Sequence, residues 1–146
     1  MKAVIVCASD GNTRQVAEAM APVLRAPVVA PGADLSGYDL VGFGSGIYYR
    51  SFHASLREFV AALPPSQGRA FVYATSGFPD AGLHRFSCPL VRLLSSKGFE
   101  VVDTFSCRGH DLWFPFRLVG GLRKGRPNTT DLEAARRFAV SVGARG

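Results

Sequence analysis

Five short, nearly uninterrupted apolar runs, each separated from the next by a stretch of helical period or by turn residues, most constrain what this chain can fold into. They lie at residues 2–8, 28–30, 40–43, 70–73 and 99–107. A strand that carries apolar side chains on both of its alternating faces must be covered on both, as a parallel sheet between two helical layers provides. The intervening stripes have helical spacing: Val16, Met20, Val23 and Leu24; Leu56, Phe59, Val60 and Leu63; Leu83, Phe86, Leu90, Leu93 and Leu94; and Leu132, Ala135, Phe138, Ala139 and Val142. Pro27 is predicted to end the first helix and Pro64-Pro65 the second, with a kink at Pro89 and a glycine cap at Gly98 in the third. Thr130 and Glu133 have the spacing of a capping box for the last helix. A chain of 146 residues makes one domain, 1–146, long enough to bury about two thirds of its unfolded surface without staples.

In such a sheet, ligands sit at the carboxyl ends of the strands, beside the point where strand order reverses. The first of these ends is Ser9-Asp10-Gly11-Asn12-Thr13, which feeds directly into a helix. Gly11 permits a tight turn, the first helical turn supplies unpaired N–H donors, and Ser9, Asn12 and Thr13 add side-chain donors, so the loop reads as an anion site. It lacks the Lys of a nucleotide-triphosphate loop and the three spaced glycines of a dinucleotide loop, which suits it to a monophosphate. The alternative for the three polar residues is helix capping alone. Two further ends, Ser45-Gly46-Ile47-Tyr48-Tyr49 and Thr75-Ser76-Gly77, combine donors, glycine and aromatics, and Trp113 lies beyond the fifth strand. Together they describe a crevice for a flat ring at one end and a phosphate at the other.

Net charge is +6, and part of it is local: Arg108, Arg117, Arg123, Lys124 and Arg126 face only Asp111 between 108 and 126. The basic 117–126 segment, preceded by Trp113 and Phe114, reads either as a lid whose outer edge meets an anionic membrane surface or a quinone, or as a loop that packs its aromatics on the sheet and solvates its arginines. No nucleic-acid-binding module accompanies the charge. Cys7, Cys88 and Cys107 form no metal-ligand spacing, and the histidines have no ligand-spaced partners, so no metal is expected. Buried packing of all three cysteines, an opening run too short for a signal-peptide core and the lack of a membrane-length apolar stretch fit a soluble cytoplasmic protein.

Taken with Tyr38-Asp39-Leu40-Val41-Gly42-Phe43-Gly44-Ser45-Gly46-Ile47-Tyr48, with Ala74-Thr75-Ser76-Gly77 and with Gly125-Arg126-Pro127-Asn128, the Gly11-Asn12-Thr13 loop makes the chain resemble the flavodoxin family over nearly its full length. The resemblance implies a five-stranded parallel sheet of order 2-1-3-4-5 in a three-layer sandwich. It also implies noncovalent flavin mononucleotide (FMN), with the phosphate in the 9–13 loop and the ring against the 45–50 and 75–79 loops. Electron transfer is the implied function, with a redox partner protein or a quinone as partner. A narrower likeness to the menaquinone-dependent protoporphyrinogen oxidases lies in Asp10-Gly11-Asn12-Thr13, in Ile47 and Tyr49, and in His53 and Phe59-Val60. That likeness implies instead a flavin-dependent dehydrogenase or quinone reductase. Ala8 and Asp10 stand where many flavodoxins have hydroxyl residues, which motivates a third reading, a flavin-free interaction domain on the same fold.

Overall fold

The computed structural model describes residues 2–8, 11–48, 51–52, 54–66, 68–76, 83–108 and 129–145. The first apolar run becomes β1 (Ala3–Cys7), buried at every position. After α1 (Asn12–Leu24) come β2 (Val28–Val29) and β3 (Leu40–Tyr48), which pair in parallel on either side of β1. A two-residue strand, β4 (Ser51–Phe52), returns antiparallel onto the end of β3, and α2 (Ala54–Ala62) follows. Then come β5 (Arg69–Ser76), α3 (Leu83–Ser96), β6 (Glu100–Arg108) and α4 (Thr129–Arg145). The order β2-β1-β3-β5-β6 is the doubly wound arrangement expected, with β4 as an appendage of β3.

Period-two alternation along β1 divides the core. Ala3, Ile5 and Cys7 pack with Val16, Ala17, Met20 and Leu24 of α1 and with Ala135, Ala139 and Val142 of α4. Val4 and Val6 face the other way, into a cluster with Leu56 and Val60 of α2 and Leu90 and Leu94 of α3. Among the described side chains of the predicted stripes, Val23 is the exception: at 38% exposure it lies outside the core while Leu24 is buried. No described helix is long and apolar enough to cross a membrane.

Three strands, β3, β5 and β6, end later than their apolar runs suggest. β3 continues five residues beyond Phe43, through Tyr48, because Gly44, Ser45 and Gly46 pair with Tyr73, Ala74 and Thr75 of β5. Glycine looks like a breaker in a linear reading, but here the missing side-chain volume is supplied by the neighbouring strand. A Cβ on Gly42 would overlap the ring of Phe71, and one on Gly44 would overlap the ring of Tyr73. The aromatics of β5 therefore lie flat across β3, covering backbone that has no side chain of its own.

Helix ends follow the expected stops, except at the start of α4. α1 closes before Pro27, with Arg25 in the left-handed region (φ 52°) and with Arg25 and Ala26 N–H donating to Pro22 and Ala21 C=O. That is the hydrogen-bond pattern of a Schellman motif, with arginine at the position that favours glycine. Arg25→Gly should accordingly raise stability by about 0.5–1 kcal/mol, since relief of left-handed strain outweighs the entropy of an added glycine; a shift in urea midpoint at constant m checks it. In α3 the helix runs continuously through Pro89, and Gly98 forms the expected cap: Gly98 N–H donates to Ser95 C=O, and Phe99 N–H to Leu94 C=O. The capping box is corrected. Thr129 and Thr130 are already helical, so the helix begins before the position a cap at Thr130 requires, and the Glu133 carboxylate accepts from Arg136 at 3.1 Å.

Candidate functional site

Parallel pairing brings the carboxyl ends of β1, β3, β5 and β6 to one edge. Cys7 lies opposite Gly44, Ser45 opposite Ala74, Gly46 opposite Thr75, Thr75 opposite Cys107 and Ser76 opposite Arg108. Beyond Cys7, Ala8 N–H still donates to Gly44 C=O at 2.9 Å, so β1 is held to β3 up to its last step before the loop.

α1 starts at the same edge. Gly11 precedes it at φ 70°, ψ −120°, a conformation outside the ordinary range of L residues, and the space where a Cβ would stand is open. Its C=O accepts the first helical bond, from Gln15 N–H at 3.0 Å. Among the described residues no side chain caps the helix, and its first turn holds no acidic residue. Arg14, in that turn, is paired with Glu18 at 2.9 Å. The positive end of the helix dipole is thus not neutralised from within its own first turn.

Thr13 and Thr75 join this helix start to the end of β5. Their hydroxyl oxygens are 2.6 Å apart, and the residues are only 1% and 5% exposed. One hydroxyl donates to the other, so the receiving hydroxyl still has a proton to place, and no other described side chain or backbone group accepts it. A buried hydroxyl proton needs an acceptor, and at this edge a ligand oxygen would serve as one. Ser45, also buried, is turned inward: its hydroxyl donates to Gly46 C=O at 2.8 Å.

Of the residues expected to form the site, Gly11, Asn12, Thr13, Ser45, Gly46, Ile47, Tyr48, Thr75 and Ser76 all fall on this edge, at the start of α1 or the ends of β3 and β5. The side chains of Asn12, Ile47, Tyr48 and Ser76 are not among those described. Ser9, Asp10, Tyr49, Gly77 and Trp113 lie outside the described residues, as does His53 of the narrower oxidase likeness and the whole basic 117–126 segment. Among the described residues no cluster of His, Cys, Asp and Glu could hold a metal ion.

Sequence reading missed one residue at this edge. Tyr73 falls in an apolar strand run, yet its hydroxyl, fully buried, donates to Val6 C=O at 2.8 Å, spanning β3 to reach β1. Burial pushes its phenol well above the ordinary range, with the neighbouring Cys7 thiol adding to the rise and Arg14 opposing it, so it stays a protonated donor. The available signal was the pairing of Gly42-x-Gly44 with Phe71-x-Tyr73, two glycines and two aromatics at the same spacing. Cys7 itself is a buried thiol outside any disulfide, as expected.

Residues 3–68 match a family model described as a flavodoxin domain. Over 149 aligned residues the chain is 38% identical to an uncharacterized protein of Methanocaldococcus jannaschii, covering 97% of this chain and 98% of that one. Oxidised flavodoxin 1 from Bacillus cereus superposes with a TM-score of 0.73 at 20% identity, over 99% of this chain and 98% of its own. A flavodoxin from the domain Archaea gives 0.72 at 16% identity, over 99% and 98%. At these identities the two superpositions speak to fold.

Proposed function

This chain belongs to the flavodoxin-like fold family, and we propose that it holds one FMN noncovalently at the carboxyl edge of its sheet and transfers electrons through it. The buried Thr13–Thr75 hydroxyl pair carries the reading. It sits where the start of α1, with no acidic residue in its first turn, offers N–H donors to an anion, and the two features together fit a phosphate monoester. Bound there, the flavin would supply one- and two-electron transfer at the protein surface.

The chain's own residues divide the work. Gly11, Asn12 and Thr13, with Ser9 and Asp10, would hold the phosphate. Ser45, Gly46, Ile47, Tyr48 and Tyr49, with Thr75, Ser76, Gly77 and Trp113, would hold the ring, the backbone of Gly46 and Thr75 lying on adjacent paired strands. Thr75 belongs to both groups, since its backbone borders the ring side while its hydroxyl meets the phosphate side. The partner in this reading is a redox protein or a quinone in the cytoplasm, approached through the basic 117–126 segment, which also suits an anionic surface.

Titration of flavin-free protein by quenching of flavin fluorescence tests the proposal. FMN should bind at least about tenfold more tightly than riboflavin, because each hydrogen bond to a charged phosphate contributes roughly 1.5–3 kcal/mol. Thr13→Val should remove about tenfold of FMN affinity and leave riboflavin within about twofold. Equal affinities for the two ligands would remove the phosphate site, and binding of neither would favour the flavin-free reading that Ala8 and Asp10 suggest.

A further inference from the structure

We propose that Tyr73 is a positioning residue for the phosphate loop, acting through Val6 to fix where the chain leaves the sheet; this rests on the FMN reading above. Two successive layers of the sheet make the argument. Phe71 lies across Gly42, and Tyr73 lies across Gly44, one step nearer the carboxyl edge. A phenylalanine ring suffices to cover glycine backbone in the inner layer, where it also packs edge-on against Phe138 at 5.7 Å. A hydroxyl is added only in the layer next to the loop. Burying a phenol costs free energy unless it is hydrogen-bonded, and packing alone gives no reason to prefer it to phenylalanine.

The use of that hydroxyl is specific. It passes over β3 and donates to Val6 C=O on β1 at 2.8 Å, with the Cys7 thiol beside it. Val6 is two residues before Ala8, whose N–H makes the next tie, to Gly44 C=O. Gly44 therefore serves twice, as the acceptor for Ala8 and as the bare backbone over which the Tyr73 ring reaches β1. The end of β1 is clamped from the same point on β3 through backbone and from β5 through a side chain. Thr75, two residues along β5 from Tyr73, holds the far side of the loop through Thr13. One strand thus grips the chain on both sides of the loop, at Val6 before it and at Thr13 after it.

Tyr73→Phe keeps the ring and deletes the grip. FMN affinity should fall about tenfold with riboflavin affinity unchanged within about twofold, the size expected for one lost hydrogen bond that acts through loop geometry. Hydrogen exchange in the flavin-free protein gives a second reading that needs no ligand. The Ala8 and Gln15 amides, which bond Gly44 and Gly11 C=O, should exchange faster by a larger factor than the Asp39 and Glu100 amides, which bond Lys2 and Gly68 C=O at the amino ends of β3 and β6. Uniform acceleration of all four, or an equal loss for both flavins, would make Tyr73 a purely structural residue and overturn the proposal. Failure of the parent protein to bind FMN would sink the functional reading, while the exchange pattern would still decide the role of Tyr73.

Discussion

Gly44→Ala is expected to cost about 3 kcal/mol of folding stability, seen as a lower urea midpoint at unchanged m. The added Cβ overlaps Cε2 and Cζ of Tyr73, atoms of a rigid ring that is fully buried and has no solvent to move into. Forcing a ring out of a packed core costs roughly 1–3 kcal/mol. Displacement also takes the phenol away from Val6 C=O and leaves a buried donor unpaired, for about 1–3 kcal/mol more. Alanine returns some 0.5–1 kcal/mol through the lower backbone entropy of the unfolded chain. Adding Tyr73→Leu to Gly44→Ala should recover part of the loss, since the smaller side chain vacates the space. The two substitutions would then be strongly non-additive, as expected of residues in direct contact. Additive losses would show that Tyr73 does not occupy the space above Gly44.

Gly98→Ala should cost more, about 4 kcal/mol, and lower the midpoint of thermal unfolding by roughly 8–16 °C for a domain of this size. Here the new Cβ overlaps a backbone atom, the carbonyl oxygen of Ser66, and Gly98 sits at φ 97°, where any L side chain is strained. No rotamer change relieves the overlap. Ser66 is itself tied to the end of α3, its N–H donating to Lys97 C=O at 2.6 Å, so the loop before β5 and the cap after α3 would have to move together. Gly11→Ala supplies the contrast. Gly11 also has positive φ, but nothing lies within 4 Å of its would-be Cβ, so only the backbone strain of about 1–2 kcal/mol applies. Equal losses at the two positions would mean that the Ser66 contact carries no energy.

The layer order was legible because the signal was redundant: uninterrupted apolar runs, helical stripes between them and glycine at the first strand end all point to one architecture. Gly11 and Thr13 were readable for the same local reason, being consecutive in sequence at a strand-to-helix junction. What linear reading lacked was the content of neighbouring strands. The end of β3 was misplaced because Gly44 and Gly46 look like turn residues until Tyr73 and Thr75 are laid beside them. Thr13 and Thr75 stand 62 residues apart, and no periodicity reports that two hydroxyls point at each other. The capping-box reading failed differently. Its motif was present, but Glu133 had a competing cation in Arg136, one turn along the same helix.

The packing of α4 on α1 bears on how the chain is made. Val16, Met20 and Leu24 find their cover in Ala135, Ala139 and Val142, so one face of the sheet is finished by residues synthesised after all six strands. At about 5–20 residues per second, the face formed by Ile5, Phe71 and Tyr73 waits several seconds, after β6 has been translated, for the helix that closes it. During that interval a nascent chain on the ribosome exposes an apolar surface that the complete protein never shows. Truncation before residue 129 would make that surface permanent, the condition under which chaperone capture or aggregation overtakes folding.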